Sequence, residues 1–391
     1  MDTRSGQPRP QDESTLTRTA QRPSYGEYLR LRDRAGPTYG SVVMPYVMKP
    51  HEKTRPISRW SQYLTLRVGA GIVSLLGVRL SLRLAAGMGS LLFRLDRKHR
   101  RRALNHLQLA FPDWDEAKRV AVAKRSFQFF IQLVIEVLFV PKRIHQGNYE
   151  QHLVRKNPEP GLAMLIARQS MVMVSGHLGN WEALGYLLSV EGHAIQAVAR
   201  PLDNPLINEW LLGQRRRRGM GIIEKWDSAN VKIVEALQNN QAVGFIADQN
   251  GGEKGLFVPY FGRLASTKKS AALLAINLNV PILCGSARRI ESSGLRYEIE
   301  LAEVIRPQDW ADRQDPIYYV TARYVRAIEN MVRGHPEQYL WMHRRWKSRP
   351  AFERQGKSMP DSLKRKLREL EWVDDTMIEL LGSPLGFDPY G

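Results

Sequence analysis

Cysteine is nearly absent from this chain: Cys284 stands alone among 391 residues. A lone cysteine excludes an intramolecular disulfide framework and a paired-cysteine metal knuckle, and its place in the apolar run VPILCGSA reads as a buried strand. Negative charge is also scarce, with 39 Asp and Glu against 58 Lys and Arg and a formal net charge of +19. Such a surface attracts polyanions: phospholipid headgroups, nucleic acid or acidic carrier proteins, among which charge alone does not choose. An export signal is missing from residues 1–58, which are polar, hold seven of the 22 prolines and lack an apolar core segment. They read as a flexible basic tail, with the body of the protein expected in the cytoplasm. Neither GxSxG nor HExxH occurs, which argues against a serine hydrolase and a zinc peptidase. QGKS at 355–358 lacks the leading glycine of a phosphate-binding loop. The histidines outside residue 177 show no ligand spacing, so neither a metal nor a bound cofactor is expected.

What the chain does have begins at about residue 59. Leu64 to Leu95 is apolar enough for a membrane element, yet Arg67, Arg79, Arg83 and Arg94 interrupt it and leave no clean window of about 18 residues. At 100° per residue Arg79, Arg83 and Arg94 fall within an arc of about 60°, the pattern of an amphipathic helix or hairpin lying in or on an anionic leaflet. A buried core helix is the structural alternative. The basic cluster from Arg94 to Arg102 closes this element and marks a cytoplasmic, headgroup-facing side. A helix over roughly 116–139 follows, with Asp113 or Asp115 as its cap.

From about residue 162 short β-rich runs alternate with helical ones. Strands are expected at 171–175, 194–200, 242–248, 281–287 and 295–301, and helices at 181–190, 205–217, 228–239, 267–278 and 316–333. This alternation implies an α/β layer on a largely parallel sheet flanked by helices, with functional groups at the carboxyl ends of strands. Segments 175–182 and 247–250 sit at such ends. One more amphipathic helix is expected over 361–381. The organisation expected is a tail at 1–58, a membrane-associated element at 59–97, a catalytic domain at 98–350 and an extension at 351–391.

The run VMVSGHLGNWEALGYLL places His177 between an apolar strand and a helix, with Gly176 and Gly179 allowing a sharp turn and Asn180 as N-cap. Residues five apart on one helix point about 140° from each other, so His177 and Glu182 meet only if His177 lies in the loop and Glu182 in the first helical turn. A carboxylate so placed would fix the imidazole tautomer and leave the other nitrogen free to take a hydroxyl proton. A capping histidine beside a solvated glutamate is the structural alternative for so short a pattern.

SGHLGNWE closely resembles the SGHxGNWE block of the bacterial lipid A late acyltransferases, a branch of the lysophospholipid acyltransferase superfamily with a His-x4-Asp or His-x4-Glu pair. Five further blocks agree in order: RRRALNHLQLAFPD (100–113), ARPLDNPLINEWL (199–211), ADQNGG (247–252), FVPYFGRLASTKKSAALLA (257–275) and PEQYLWMHRRWKSRP (336–350). The likeness spans about 60–350. It implies a glycerol-3-phosphate acyltransferase-like α/β layer, His177 as general base and Glu182 as its partner. It also carries functional roles to Arg215 and Asp248, with Arg200 at or beside the site and Asn180 and Trp181 shaping it. Arg215–Arg218 also reads as a solvated basic face and Asp248 as a turn cap. Phe257, Tyr260 and Phe261 would suit the wall of an acyl site, the 257–264 block could supply oxyanion donors, and His343, Arg344 and Arg345 are candidate headgroup ligands or a structural closure.

The reaction implied is transfer of a fatty acyl group from a thioester, acyl carrier protein favoured over coenzyme A, to a hydroxyl of a lipid A precursor or related phosphorylated glycolipid. Its expected place is the cytoplasmic face of the inner membrane. A second reading keeps the base but acylates a lysophospholipid or phosphatidylinositol mannoside from acyl-CoA. A third, from another class, is a non-catalytic membrane or nucleic-acid binding protein. The apolar element and the lack of a nucleic-acid module argue against nucleic acid as a partner.

Overall fold

A computed structural model describes residues 56–384 except 217–218, 225–228 and 292–293, and these residues belong to one compact unit. The tail at 1–55 and the last residues, 385–391, lie outside the described residues. Three helices open the described part of the chain: α1 (Pro56–Leu95), α2 (Arg97–Ala110) and α3 (Glu116–Arg143). Asp115 caps α3 by accepting from the Lys118 N–H at 2.7 Å. Then come α4 (Tyr149–His152), β1 (Leu153–Lys156), α5 (Gly161–Ile166), β2 (Met171–Ser175), α6 (Trp181–Val190) and β3 (Ile195–Ala199). They are followed by α7 (Pro205–Arg216), β4 (Gly221–Glu224), α8 (Ala229–Gln238), β5 (Ala242–Ile246) and the hairpin β6 (Leu256–Tyr260) and β7 (Arg263–Thr267). The chain continues through α9 (Ser270–Asn277), β8 (Ile282–Arg289), β9 (Tyr297–Ile305), α10 (Pro307–Trp310) and α11 (Pro316–Gly334), and ends with α12 (Ala351–Arg354), α13 (Asp361–Arg368) and α14 (Asp375–Gly382).

The central sheet has the order β1-β9-β8-β2-β5-β3-β4. It is parallel from β8 to β4, while β9 runs antiparallel to β8 and β1 parallel to β9. The central strands β2 and β8 are buried along most of their length, as expected when helices cover both sides. One face carries Met171, Leu188 and Ile195 with Leu165 of α5; the other packs Val172, Val243 and Cys284 against Ile233, Ala272 and Ile328. Cys284 is buried core, as its apolar run suggests. The five expected strands and the helices between them all appear, with ends shifted by a few residues. The expected 361–381 helix is instead two, α13 and α14, because Asp374 starts a new helix by accepting from the Met377 N–H at 2.7 Å.

Helix α1 is the one described helix long and apolar enough to cross a membrane, with mean hydropathy 1.5 over its most apolar window. It bends at Gly77, whose φ of 73° is left-handed and costs glycine nothing. Beyond the bend Leu82, Ala85, Gly89 and Phe93 face the body. At Gly89 an added Cβ would lie 2.4 Å from the Gln128 Cα, so α1 and α3 touch backbone to backbone. The opposite stripe, including Leu64, Val68, Ile72, Leu75, Leu84 and Leu91, is exposed, Leu75 to 88%.

Helix α2 ties the front of the chain to its end. Arg102 donates to the Met342 carbonyl at 2.9 Å, and His106 Nδ1 donates to the Trp341 carbonyl at 2.9 Å. Burial and the nearby His343 bring the His106 imidazole down to about 3. Below the ordinary value of 6.5 the unfolded chain therefore binds a proton that the folded site refuses. Stability is complete above that pH and declines by up to ~1.4 kcal/mol per pH unit on the way down towards the folded value. His106→Gln keeps a donor for Trp341 and is expected to flatten this decline, measured by denaturant unfolding near pH 7 and pH 5; an unchanged slope would assign the acid sensitivity elsewhere.

Candidate active site

The register of two neighbouring strands builds the centre of the site. β2 and β5 pair so that Ser175 lies opposite Ile246, the last residue of each strand. His177 and Asp248 stand two residues beyond those ends and so face each other. The Asp248 carboxylate accepts from His177 twice, from the backbone N–H at 2.8 Å and from Nδ1–H at 2.7 Å. That pairing sets the tautomer: the proton sits on Nδ1 and the Nε2 lone pair is left to the substrate side. Gln249 places its amide nitrogen 3.4 Å from that Nε2, and the Trp181 ring packs edge-on at 4.8 Å.

The loop that holds His177 is pinned along its length. The Leu340 N–H donates to the His177 carbonyl at 3.0 Å, the Gly179 N–H to Gln338 at 3.0 Å, and the Asn180 N–H to Ala287 at 2.7 Å. Gly179 adopts φ 59°, and any Cβ there would strike the Ala287 carbonyl at 2.2 Å. A Cβ at Gly176 would lie 2.9 Å from Ile328 and 3.2 Å from the Asp248 carboxylate, so glycine is what lets the acid close on the histidine. Asn180 caps α6 through the Ala183 N–H at 2.8 Å, a contact worth about 1 kcal/mol. Its amide donates at 2.6 Å to Glu136 of α3, a fully buried carboxylate that also binds Arg289 and the Tyr297 hydroxyl.

Burial alone would raise the Asp248 carboxyl. The adjoining His177, through its electrostatic pairing and its hydrogen bonds, and the nearby His343 outweigh that and hold Asp248 well below the usual carboxylate range. Its contribution to stability is thus present at neutral pH and lost only as the pH falls below the ordinary carboxylate value. Burial pushes the His343 imidazole below its ordinary value despite the nearby Asp248. His343 donates Nδ1–H to the Leu340 carbonyl at 2.6 Å.

The expectation that Glu182 orients His177 is corrected by this geometry. Glu182 does sit in the first turn of α6, but its carboxylate is taken by Arg215, from the last turn of α7, through Nε at 2.8 Å and a terminal nitrogen at 2.5 Å. The five-residue spacing could not show this, because only the order of strands in the sheet decides which carboxylate reaches Nδ1. Arg200 follows β3 at the rim with its side chain 80% exposed and Asp203 3.7 Å away. Arg217 and Arg218 lie outside the described residues. The aromatic wall is also corrected: Tyr260 and Phe261 are buried against α11, and the Phe261 N–H donates to Glu329 at 2.8 Å, so the hairpin serves the core rather than the site. Arg345 is interior too, bound to the Ser266 carbonyl at 2.6 Å and Thr267 Oγ1 at 2.8 Å. Gln249 was not singled out in the sequence; its only signal was adjacency to Asp248 in the ADQNGG block.

His177, Glu182, Arg200, Arg215 and Gln249 all border one cavity of about 750 Å³ that is lined from both faces of the sheet and is otherwise mostly apolar. Its size suits a ligand with a long apolar part and a reacting end at His177. Residues 47–348 match the family model for bacterial lipid A biosynthesis acyltransferases. The chain belongs to that family. A lipid A biosynthesis acyltransferase of Haemophilus influenzae is 26% identical over 68% of this chain and 83% of its own length. The lipid A biosynthesis lauroyltransferase of Escherichia coli is 22% identical over 68% of this chain and 85% of its own. The palmitoleoyltransferase of that organism is 31% identical over 46% of this chain and 58% of its own. The enzyme is an acyltransferase.

Two couples, His177 with Asp248 and Glu182 with Arg215, are expected to behave as units. Asp248→Asn should lower the turnover number about a thousandfold or more, because the amide no longer secures the tautomer. Glu182→Gln and Arg215→Gln should cost similar factors, with the double variant no worse than either single one. An Asp248→Asn enzyme with near wild-type turnover would overturn the pairing assigned to His177.

Proposed function

We propose that the enzyme transfers a fatty acyl group from a thioester, preferably of acyl carrier protein, to a hydroxyl of a lipid A precursor or a related phosphorylated glycolipid. The observation that carries this reading is a histidine with its Nδ1–H held by a buried carboxylate and its Nε2 at the mouth of a long apolar cavity. His177 Nε2 takes the proton of the acceptor hydroxyl as its oxygen attacks the thioester carbonyl. The tetrahedral adduct so formed collapses to the ester as the C–S bond breaks, and the departing thiolate, a good leaving group, takes up the proton that His177 holds. Imidazolium formed at His177 is stabilised by the ionised Asp248, which remains a carboxylate throughout. The cavity holds the acyl chain, and Arg200, at the open rim, is placed for the phosphates of the acceptor. The wider layer arrangement fits a glycerol-3-phosphate acyltransferase-like fold.

The reading also accounts for α1. The Asn204 amide binds the Arg59 carbonyl and Gln62 at 3.0 Å each, while Lys142 donates to Ser74 at 2.8 Å, so the first half of α1 lies along the body. An apolar face held sideways, flanked by exposed Arg79, Arg83 and Arg94, suits the cytoplasmic interface of the inner membrane better than a perpendicular span.

The deciding experiment pairs the purified enzyme with acyl carrier and coenzyme A thioesters and with lipid A precursors, lysophospholipids and phosphatidylinositol mannosides as acceptors. Acylated lipid A precursor from the carrier thioester is expected and should vanish in His177→Ala; acylation of a lysophospholipid instead would replace the proposed acceptor. Flotation with vesicles rich in phosphatidylglycerol tests the interface. Wild-type enzyme should float, and the triple replacement Val68→Glu, Leu75→Glu, Leu84→Glu should bind about tenfold less or worse. Equal flotation would remove α1 from the membrane contact.

A further inference from the structure

One row of residues crosses the sheet in register: Leu283 of β8, Met173 of β2, Gly244 of β5, Ala197 of β3 and Ile222 of β4. Residues directly opposite on paired strands point to the same face, and all five border the cavity that opens at His177. Across from the row lie Leu184 and Leu188 of α6. The middle of the row is its smallest part, a glycine beside an alanine.

Gly244 is an unusual choice for a central strand, where glycine weakens pairing and β-branched residues are preferred. Two other glycines at the site have backbone reasons, while Gly161, Gly176 and Gly185 are closely faced by neighbouring side chains. Gly179 has a left-handed φ, and a Cβ at Gly285 would lie 2.6 Å from the Glu300 carbonyl. Gly244 has neither reason. Its φ is not positive, and an added Cβ would meet only the Gln196 carbonyl oxygen, at an ordinary 3.8 Å. The backbone would accept a side chain, so what glycine preserves here is the open space above it. β3 and β5 pair only as far as Ala197 and Gly244 and part beyond them, so the bare position lies where the sheet begins to split and the cavity passes across it.

We propose that Gly244 sets the length of acyl chain the enzyme accepts, its missing side chain leaving the passage between the row and α6 open for the far methylenes. The inference rests on the reading that this cavity holds the acyl chain. A side chain at 244 narrows the passage beyond the reacting end, so it discriminates by length and leaves the geometry at His177 untouched.

The test measures kcat/KM of wild type, Gly244→Ala and Gly244→Val with a homologous series of saturated acyl thioesters from decanoyl to palmitoyl. The ratio of the longest accepted chain to decanoyl is expected to fall in both variants. The fall should be about tenfold or more for valine, the scale on which a pocket penalises groups that no longer fit, and smaller for alanine. Gly244→Ala, which adds only a methyl group at ordinary contact distance, guards against misfolding of the valine variant, and melting temperatures are read alongside. An unchanged length profile, or equal loss at every length, overturns the role of Gly244. Leu188→Trp, on the opposite wall, separates the two levels. If it alone changes the profile, the cavity holds the chain and Gly244 is not the determinant; if neither position does, the cavity is not the acyl site.

Discussion

The contact between Asp248 and His177 imposes most of the local architecture around it. A carboxylate without water survives in a protein interior only if donors surround it, and here one residue supplies two of them, a backbone N–H and a ring N–H. For that to happen the chain after β2 must turn within two residues, which Gly176 allows by leaving room for the acid. It must then be held against the opposing strand and the 338–340 segment, which Gly179 and three backbone hydrogen bonds achieve. Helix α2, through Arg102 and His106, holds the 341–342 segment that backs this loop. Stability and chemistry thus meet in one short stretch of chain.

A second buried carboxylate, Glu136, plays a parallel part at a distance from the reacting atoms. It joins α3 to the cap of α6, to β8 through Arg289 and to β9 through Tyr297. Because α3 is also the helix on which α1 rests, the apolar face and the catalytic loop share one rigid support. On the interfacial placement proposed for α1, this shared support keeps the site in a constant relation to the lipid surface.

Much of the layer was legible from pattern alone. The strands at 171–175 and 242–246 are runs of apolar residues bounded by polar turns, and the helices between them carry their own caps, so local chemistry marks them. β1 and β4 were not legible, being four residues each with only two apolar side chains to form a pattern, and the split of the 361–381 segment depends on a single capping aspartate. In the candidate site, His177, Arg215 and Asp248 were named from the sequence and lie close by, but Glu182 was assigned the contact that Asp248 makes. The hairpin aromatics Tyr260 and Phe261 were read as a cavity wall, whereas packing against α11 makes them core. Aromatic residues near a site look the same in sequence whether they face a ligand or the protein interior.

The sequence by itself determined the family, through blocks of fixed order and spacing, and the loop position of His177, through glycines whose backbone freedom is a local property. It also determined that α1 would show an apolar face edged by arginines. Tertiary structure decided which acid holds the histidine, since β2 and β5 are neighbours only because the chain returns between β2 and β3, an arrangement no local pattern encodes. It decided that Glu182 belongs with Arg215, because α6 and α7 bring the two together across more than thirty residues of chain. It decided too that a glycine in the middle of a strand faces open space, because a cavity is made by what surrounds a position rather than by the residue standing there.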